Sequence, residues 1–278
     1  MSEFAGKVVV ITGAGSGIGR ALAVTLAKQG ARLAISDVDS VGLAETVGLV
    51  EAVGAEVKSN HLDVTEREAV LAYAEEVLAH FGVINQLYNN AGIAYHGEFV
   101  KSEFKDIEKI MDVDFWGVVN GTKAFLPHLI ASGDGHVVNI SSLFGLLSMP
   151  GQSAYNSAKF AVRGFTESLR QEMLIAHHPV QVTCVHPGGI KTAIARNATA
   201  GAGEDLDTFA EFFDRKLART TAEDAAETIV KGVRKNKPRV LIGADAKLLD
   251  AWVRLVGSGY QRVVAIVAGR ALPKSNRS

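Results

Sequence analysis

Three side chains of this chain have the types and the spacing needed to move a proton. Tyr155 and Lys159 are four residues apart, and Ser142 precedes Tyr155 by thirteen residues. Residues four apart share one face of a helix, so a helix here would place the Lys159 ammonium beside the Tyr155 phenol. A free phenol has a pKa of about 10, and a fixed positive charge beside it favours the phenolate, which is the form that acts as a base. A hydroxyl at Ser142 would then steady a carbonyl or alkoxide oxygen.

A glycine-rich segment, residues 12–19, follows a predicted strand and opens a predicted helix. Glycines allow a tight turn and a close approach of the backbone, and the amides at a helix N-terminus bind a pyrophosphate. No lysine follows the last glycine, which argues against a nucleoside-triphosphate loop; a turn that binds nothing is the alternative. The residues expected to contact a dinucleotide here are Gly13, Ser16, Gly17, Ile18 and Gly19.

An acidic residue, Asp37, ends the second predicted strand. A carboxylate at this point accepts hydrogen bonds from both hydroxyls of an adenosine ribose and repels a 2′-phosphate. No lysine or arginine follows it directly, and Ser16 is not basic. We therefore expect NAD rather than NADP, with Asp37 and Val38 as cofactor contacts. A solvated acid in a turn before Asp39 is the alternative.

Short β-branched runs alternate with longer amphipathic segments along most of the chain. The predicted strands are Val8–Thr12, Arg32–Ser36, Val57–Leu62, Ile84–Tyr88, His136–Ile140, Val180–Val185 and Arg239–Ile242. The predicted helices are Gly17–Gln29, Val41–Val53, Glu66–Phe81, Phe104–Ile130, Ser153–Ala176 and Ala222–Lys235. This alternation predicts an α/β fold, a doubly wound parallel sheet of Rossmann-like type, in one domain with a C-terminal helical extension. We place the dinucleotide-binding catalytic domain at residues 1–245 and the extension at 246–278.

Two segments depart from the alternation. Residues 188–218 form a long insertion after a strand end, with Phe209, Phe212 and Phe213, which is typical of a substrate lid or of a plain surface loop. Residues 246–278 combine six basic residues and one acid with apolar residues at helix-like spacing. For this tail we weigh packing over the substrate cleft, a subunit contact and an interfacial helix on an anionic membrane. Packing or a subunit contact is favoured.

The composition excludes several classes of function. The chain has 278 residues and a formal net charge of −1, so no overall positive field attracts nucleic acid. Cys184 is the only cysteine, which rules out an intrachain disulfide and fits a reducing compartment. No basic segment followed by a long apolar run is present, so we expect a soluble cytoplasmic protein. The eight histidines show no metal-ligand spacing, so no metal is expected, and the absence of a Gly-x-Ser-x-Gly segment argues against a hydrolase triad of Ser142 and His186.

The motifs together resemble those of the short-chain dehydrogenase/reductase family, in its single-domain form. The match spans most of the first 192 residues and comprises Thr12–Gly19, Asp63-Val64, Asn89-Asn90-Ala91-Gly92, Ser142, Tyr155 with Lys159, Pro187-Gly188 and Thr192. The resemblance implies that Tyr155 is the general acid/base, that Lys159 binds the nicotinamide ribose and lowers the pKa of the tyrosine, and that Ser142 orients the substrate oxygen. It further implies cofactor contacts at Asp63, Val64, Asn90, Ala91, Gly92, Pro187, Gly188, Ile190 and Thr192.

One residue departs from the family pattern. Asp114 stands where the family usually has an asparagine, whose backbone carbonyl binds a water that leads to the lysine. An aspartate keeps that carbonyl, and we count Asp114 among the catalytic residues. An ionised Asp114 close to Lys159 would disfavour the phenolate and move the pH optimum upward.

The resemblance implies hydride transfer between NAD(H) and a secondary alcohol or ketone, in a homodimer or homotetramer. Leu143, Phe144, Leu146 and Met149 follow the serine and suggest a lipophilic substrate. The alternative is an NAD-binding sensor or scaffold protein without turnover, which Asp114 alone favours.

Overall fold

The computed structural model describes residues 3–192, 194, 198–200 and 219–271. The strands in these ranges are β1 (Val8–Thr12), β2 (Arg32–Asp37), β3 (Val57–His61), β4 (Gln86–Asn89), β5 (Tyr95–His96), β6 (Gly135–Ile140), β7 (Val180–Pro187), β8 (Thr199–Ala200) and β9 (Arg239–Ile242). The helices are α1 (Gly17–Ala27), α2 (Ser40–Glu51), α3 (Arg67–Phe81), α4 (Phe104–Met111), α5 (Gly117–Ala131), α6 (Ser153–Ile175), α7 (Ala222–Arg234), α8 (Ala244–Val256) and α9 (Tyr260–Ala271).

Seven strands form one parallel sheet in the order β3-β2-β1-β4-β6-β7-β9. The chain moves outward on one side of β1 through β2 and β3, and on the other side through β4 and the later strands. The loops that follow β1 and β4 therefore leave the sheet in opposite directions and open a crevice between the carboxyl ends of these two strands. Ligands bind in such a crevice. The doubly wound sheet predicted from the sequence is confirmed.

Alternate side chains of the central strand β1 enter two different cores. Val9 and Ile11 pack with α1 and α7, whereas Val8 and Val10 pack with α3 and α5. All four side chains are fully buried. The continuous apolar run in β1 is thus explained by a sheet that is covered on both faces.

The predicted long helix Phe104–Ile130 is wrong. The structure divides it into α4 and α5, which are separated by a five-residue π-helical turn, Asp112–Trp116. A π turn holds one extra residue, so it rotates the side chains that follow it, and such turns are frequent at functional sites. This turn points Asp114 into the protein interior, where its side chain is fully buried.

The remaining differences are smaller. The predicted strands form with shifts of one or two residues at their ends, the largest at Ile84–Tyr88, which is observed as Gln86–Asn89. The two-residue strands β5 and β8, which pair with each other, were not predicted. Cys184 is a fully buried residue of β7, and burial raises the pKa of its thiol to about 12.

The tail forms two helices that pack next to the loop after Ser142. Gly257–Gly259 is a 3₁₀ turn that separates α8 from α9. Trp252 of α8 and Tyr260 of α9 join a cluster with Leu143, Leu146 and Leu147. The Tyr260 hydroxyl accepts a hydrogen bond from the backbone N–H of Ser148 at 3.1 Å. Within the described part of the chain, no helix is both long and apolar enough to cross a membrane.

The predicted lid lies mostly outside the described residues. Phe209, Phe212 and Phe213 belong to this undescribed part. Of the lid segment, the structure describes 188–192, 194 and 198–200.

Candidate active site

The glycine-rich loop follows β1 and packs directly against the loop after β4. Gly13 has a φ of +66°, in the left-handed region, and a Cβ at this position would lie 2.7 Å from the Cα of Ala91. A Cβ on Gly19 would overlap the carbonyl oxygen of Gly13. Side chains at these two positions would therefore open the loop, which explains why glycine is required. Ser16 is exposed at the N-cap of α1, and the helix N-terminus after it is free to receive an anion.

Asn90 connects the two loops. Its side-chain amide donates to the carbonyls of Thr12 and Gly13, both at 3.0 Å. Its backbone N–H and that of Ala91 donate to the Thr12 hydroxyl, both at 3.1 Å. Asn90 therefore fixes the shape of the glycine loop, while Ala91 and Gly92 continue along the crevice.

Asp37 lies at the end of β2 and faces the glycine loop. One of its carboxylate oxygens accepts from the N–H of Gly15 at 2.7 Å, and the other accepts from the N–H of Asp39 at 2.9 Å. Val38 beside it is 56% exposed. A nearby cation, Arg20, was not singled out from the sequence; it is ion-paired with Glu45 at 2.8 Å.

Asp63 and Val64, which follow β3, form another wall of the crevice. Asp63 is exposed and accepts hydrogen bonds from the backbone and the hydroxyl of Thr65. Val64 is buried, and its carbonyl accepts from the side chain of Asn120 at 3.0 Å. A Cβ on Gly117 would lie 2.6 Å from a methyl group of Val64, so α5 approaches this wall closely.

The loop after β7 is held by a residue that the sequence analysis missed. Asp245, in the first turn of α8, accepts from the N–H of Gly189 at 2.9 Å, and a Cβ on Gly188 would overlap its carboxylate. Pro187 ends β7, and Ile190 pairs with Thr220 in an isolated bridge. An acid in a helix first turn is a common stabilising feature, so the sequence offered no signal for this contact.

Thr192 is brought to the glycine loop from the far side of the crevice. Its methyl group would lie 3.1 Å from a Cβ built on Gly17. The loops after β1 and β7, which are distant in sequence, therefore meet across the cleft.

Tyr155, Lys159 and Asp114 form a cluster in which Lys159 and Asp114 are buried and Tyr155 is partly buried. The Lys159 Nζ lies 5.5 Å from the centre of the Tyr155 ring and 3.2 Å from one oxygen of Asp114. The other oxygen of Asp114 accepts from the N–H of Ile93 at 2.8 Å. A Cβ on Gly92 would lie 3.3 Å from both the Asp114 carboxylate and the Lys159 ammonium. Asp114 thus contacts Lys159 and the backbone, and it acts on the site through Lys159.

Ser142 begins a 3₁₀ turn, Leu143–Gly145, after β6. Its hydroxyl accepts from the N–H of Phe144 at 3.0 Å. The Nδ1 of His186 lies 2.9 Å from the Ser142 carbonyl oxygen, which can only accept, so Nδ1 carries the proton. His186 was dismissed as a triad member on sequence grounds; its contact is with the backbone of Ser142, which supports that dismissal.

Burial and charge act in opposite directions on these groups. Burial raises the pKa of Tyr155; the Lys159 ammonium opposes this rise, and the Asp114 carboxylate adds to it. Burial alone would lower the pKa of Lys159, but the Asp114 carboxylate and the Tyr155 side chain together raise it overall. Burial likewise raises the pKa of Asp114, and Lys159 offsets part of that rise. The sequence-based expectation that Asp114 works against the phenolate agrees with this arrangement.

Comparisons with known proteins agree with the fold. The sequence model of the short chain dehydrogenase family matches residues 7–203. SadH of Mycobacterium tuberculosis, named as an oxidoreductase, is 69% identical over 98% of this chain and 99% of its own length.

Solved structures of the same family superpose closely. A short chain dehydrogenase/reductase from Burkholderia phymatum in complex with NAD has a TM-score of 0.85 and 33% identity, covering 95% of this chain and 97% of that one. An alcohol dehydrogenase from the archaeon Thermococcus sibiricus, complexed with 5-hydroxy-NADP, has a TM-score of 0.71 and 27% identity, covering 85% of this chain and 94% of that one. The crevice, the cluster around Tyr155 and these matches lead to one conclusion: the chain belongs to the short-chain dehydrogenase/reductase family of oxidoreductases.

Proposed function

We propose that this oxidoreductase transfers a hydride between NAD(H) and a lipophilic secondary alcohol or ketone, with Tyr155 as the general acid/base. The observation that carries the proposal is the buried Lys159 ammonium beside the Tyr155 ring. A proton donor and acceptor at the carboxyl edge of a dinucleotide-binding sheet is what carbonyl reduction and alcohol oxidation both require.

The chain's own residues then divide the proton chemistry between them. In the oxidation direction the Tyr155 phenolate accepts the proton of the substrate hydroxyl, and in reduction the phenol donates it. Lys159 stabilises the phenolate electrostatically, and the Ser142 hydroxyl orients the substrate oxygen. A bound nicotinamide supplies the hydride acceptor in oxidation and the donor in reduction.

The crevice fits a dinucleotide. Gly13 and Gly19 have no room for side chains, so the glycine loop packs tightly on its neighbours and sets the N-terminus of α1 at the crevice, where its amides suit a pyrophosphate. The similar solved structures include one with NAD and one with 5-hydroxy-NADP, so the choice of cofactor depends on this chain's residues. Asp37 is acidic and Arg20 is neutralised by Glu45, which favours NAD.

The apolar residues near Ser142 support a lipophilic substrate, with one correction. Leu143 and Leu146 are buried against the tail helices, so they pack on the tail and not on the substrate. Phe144 and Met149 are only partly buried, and the Phe144 ring meets the Tyr155 ring edge-on at 6.3 Å between centroids. These two residues remain as the candidates for substrate contact.

The test is NADH formation from a panel of lipophilic secondary alcohols by the wild type and by Tyr155→Phe. We expect a loss of about a hundred-fold or more in kcat with NAD binding retained, because the variant lacks the acid/base hydroxyl. Tyr73→Phe removes another buried hydroxyl, in the core under α3, and should keep full turnover. If the wild type and both variants bind NAD but none of them oxidises any alcohol of the panel, the sensor or scaffold alternative is favoured.

A second prediction concerns the cofactor. Asp37→Ala should lower kcat/KM for NAD by about ten- to a hundred-fold and narrow the preference over NADP, because it removes a charge-assisted contact to the ribose. Asp39→Ala removes an acid that caps α2 instead, so it should lower stability and leave the NAD/NADP ratio unchanged. An unchanged NAD/NADP ratio in Asp37→Ala would show that Asp37 does not select the cofactor.

The homo-oligomeric assembly and the cytoplasmic location remain predictions of the proposal.

A further inference from the structure

Each of the two tail helices, α8 and α9, has apolar residues on two faces, and only one of these faces packs against the rest of the protein. On α8, Ala246, Leu249 and Val253 face the core, whereas Leu248 and Leu255 are 71% and 86% exposed. A helix of a monomeric water-facing cap needs one apolar face only. The second face is therefore unexplained by packing within the chain.

The same division occurs on α9. Tyr260, Val264 and Ala268 turn inward. Val263, Ile266 and Val267 are about half exposed and lie on a neighbouring face of the helix. We call the cap surface formed by Leu248, Leu255, Val263, Ile266 and Val267 the outer stripe.

The charges exposed beside the outer stripe are positive. Lys247, Arg254 and Arg262 are exposed on the same two helices. Of the acids of α8, Asp245 binds the N–H of Gly189, and Asp250, with 14% of its side chain exposed, pairs with Arg239 and Arg254. Arg254 is therefore ion-paired, whereas Lys247 and Arg262 have no ion pair within the described residues.

The cap lies at the active-site edge of the sheet. Helix α8 starts directly after the carboxyl end of β9, and Tyr260 binds the N–H of Ser148, six residues after the catalytic serine. A second exposed apolar patch, Phe99, Val100 and Phe104, joins the same region, because the N–H of Gly97 donates to the carbonyl of Gly151. The charges around that patch are paired, as in Lys101 with Glu98.

An open groove separates α9 from α6 beside the outer stripe. It has a volume of about 590 Å³, and its lining combines apolar side chains with the polar residues Ser148, Ser153, Asn156, Ser157 and Gln261. The groove is therefore of mixed polarity, and it is the exposed apolar and basic residues beside it that match the acyl and headgroup parts of an anionic lipid surface.

We propose that the α8–α9 cap docks on the surface of an anionic lipid bilayer, with the outer stripe in the acyl boundary and the basic residues at the headgroups. This goes beyond the proposed reaction and places the active-site mouth beside the membrane. A second copy of the chain fits the stripe less well, because a two-fold contact brings the same surface of both copies together. The positive charges of Lys247 and Arg262 from both copies would then be brought into one interface, where like charges are unfavourable.

The experiment is flotation of the full-length protein with vesicles of phosphatidylcholine alone and with about 30% phosphatidylglycerol. We expect the wild type to float with the anionic vesicles and to be released by salt, which screens the headgroup charges. Leu255→Ser with Ile266→Ser should lower the bound fraction about ten-fold or more, since both side chains leave the acyl boundary. Lys247→Glu with Arg262→Glu should remove the dependence on phosphatidylglycerol.

Matched controls make the same changes away from the cap. Leu71→Ser with Leu174→Ser alters two exposed leucines of α3 and α6, and Lys28→Glu with Lys231→Glu reverses two exposed lysines near the C-terminal ends of α1 and α7. Both controls should float like the wild type, and thermal unfolding of every variant checks that it is folded.

The proposal is wrong if the wild type stays unbound with both kinds of vesicle, or if the cap variants float as well as the controls. A fall in molecular mass in Leu255→Ser with Ile266→Ser, measured by light scattering, together with no vesicle binding, would assign the stripe to a second copy. Turnover of a short, water-soluble alcohol in the same samples separates the two proposals: turnover without flotation rejects only the docking, and flotation without turnover rejects only the reaction.

Discussion

At the scale of single residues, the active site is governed by the ion pair between Asp114 and Lys159. Without Asp114, the positive charge of Lys159 would stabilise a Tyr155 phenolate with its full electrostatic effect. Here a carboxylate lies 3.2 Å from the ammonium and is itself fully buried, so little water screens it. Asp114 therefore fixes the position of Lys159 and also reduces its influence on the tyrosine.

The pH dependence of turnover should report this pair. In the proposed alcohol oxidation, kcat/KM should rise with pH as Tyr155 loses its proton. Asp114→Asn removes a negative charge near the phenol, which lowers the pKa of Tyr155 and should move the rising limb to lower pH by about one unit. The asparagine oxygen can still accept from the N–H of Ile93, so the local fold is kept.

Asp112→Asn is the matched control. Asp112 is in the same π turn but is exposed, so water screens its charge and the pH profile should stay in place. Equal profiles for the wild type and Asp114→Asn would show that the carboxylate has no electrostatic effect on Tyr155.

At the scale of elements, the loop after β1 depends on glycines that have no space for a side chain. Gly19→Ala would push a methyl group against the Gly13 carbonyl, which is backbone and cannot turn away. We expect at least about a ten-fold rise in the Kd for NAD and a lower melting temperature, measured by titration and thermal unfolding.

Gly48→Ala makes the same change in α2, where nothing lies within 4 Å of the added Cβ. Alanine stabilises a helix interior relative to glycine, so this variant should gain about 0.5–1 kcal/mol and bind NAD normally. If Gly19→Ala also binds NAD normally, the tight loop is not needed for the cofactor.

The elements also show how far the sequence could predict the structure. The parallel sheet, the glycine loop and the helix that carries Tyr155 and Lys159 follow from periodicity and motif spacing, which are local. The π turn at Asp112–Trp116 was missed because its residues include neither a glycine nor a proline to mark a break. The contact of Asp245 with Gly189 was missed because it joins residues 56 positions apart through the tertiary fold.

At the scale of the whole molecule, two buried histidines connect stability to pH. His136 pairs with the Thr183 hydroxyl in the sheet, and His186 supports Ser142. Burial lowers the pKa of His136 to about 3 and that of His186 to about 4. Both are therefore neutral in the folded protein, whereas in the unfolded chain they bind protons below about pH 6.5.

The free energy of unfolding should consequently fall as the pH drops from about 6.5 toward 4, because the unfolded state then binds more protons. At pH 5 each histidine contributes at most about 2 kcal/mol to this fall. His136→Gln should show a smaller loss between pH 7 and pH 5 in urea unfolding. His178→Gln, at an exposed helix end, should show the wild-type loss, and identical losses in all three proteins would contradict the prediction.

The single cysteine gives this chain a practical advantage for spectroscopy. Cys184 is buried in β7, and its raised pKa keeps the thiol protonated at neutral pH. Thiol-specific dyes therefore have no reactive cysteine in the folded wild-type protein. A cysteine introduced at Val267 would be the only reactive thiol on the molecule, with no background to subtract. A polarity-sensitive fluorophore at that point would brighten as it leaves water, so the arrival of the chain at a bilayer could be timed in milliseconds by stopped flow.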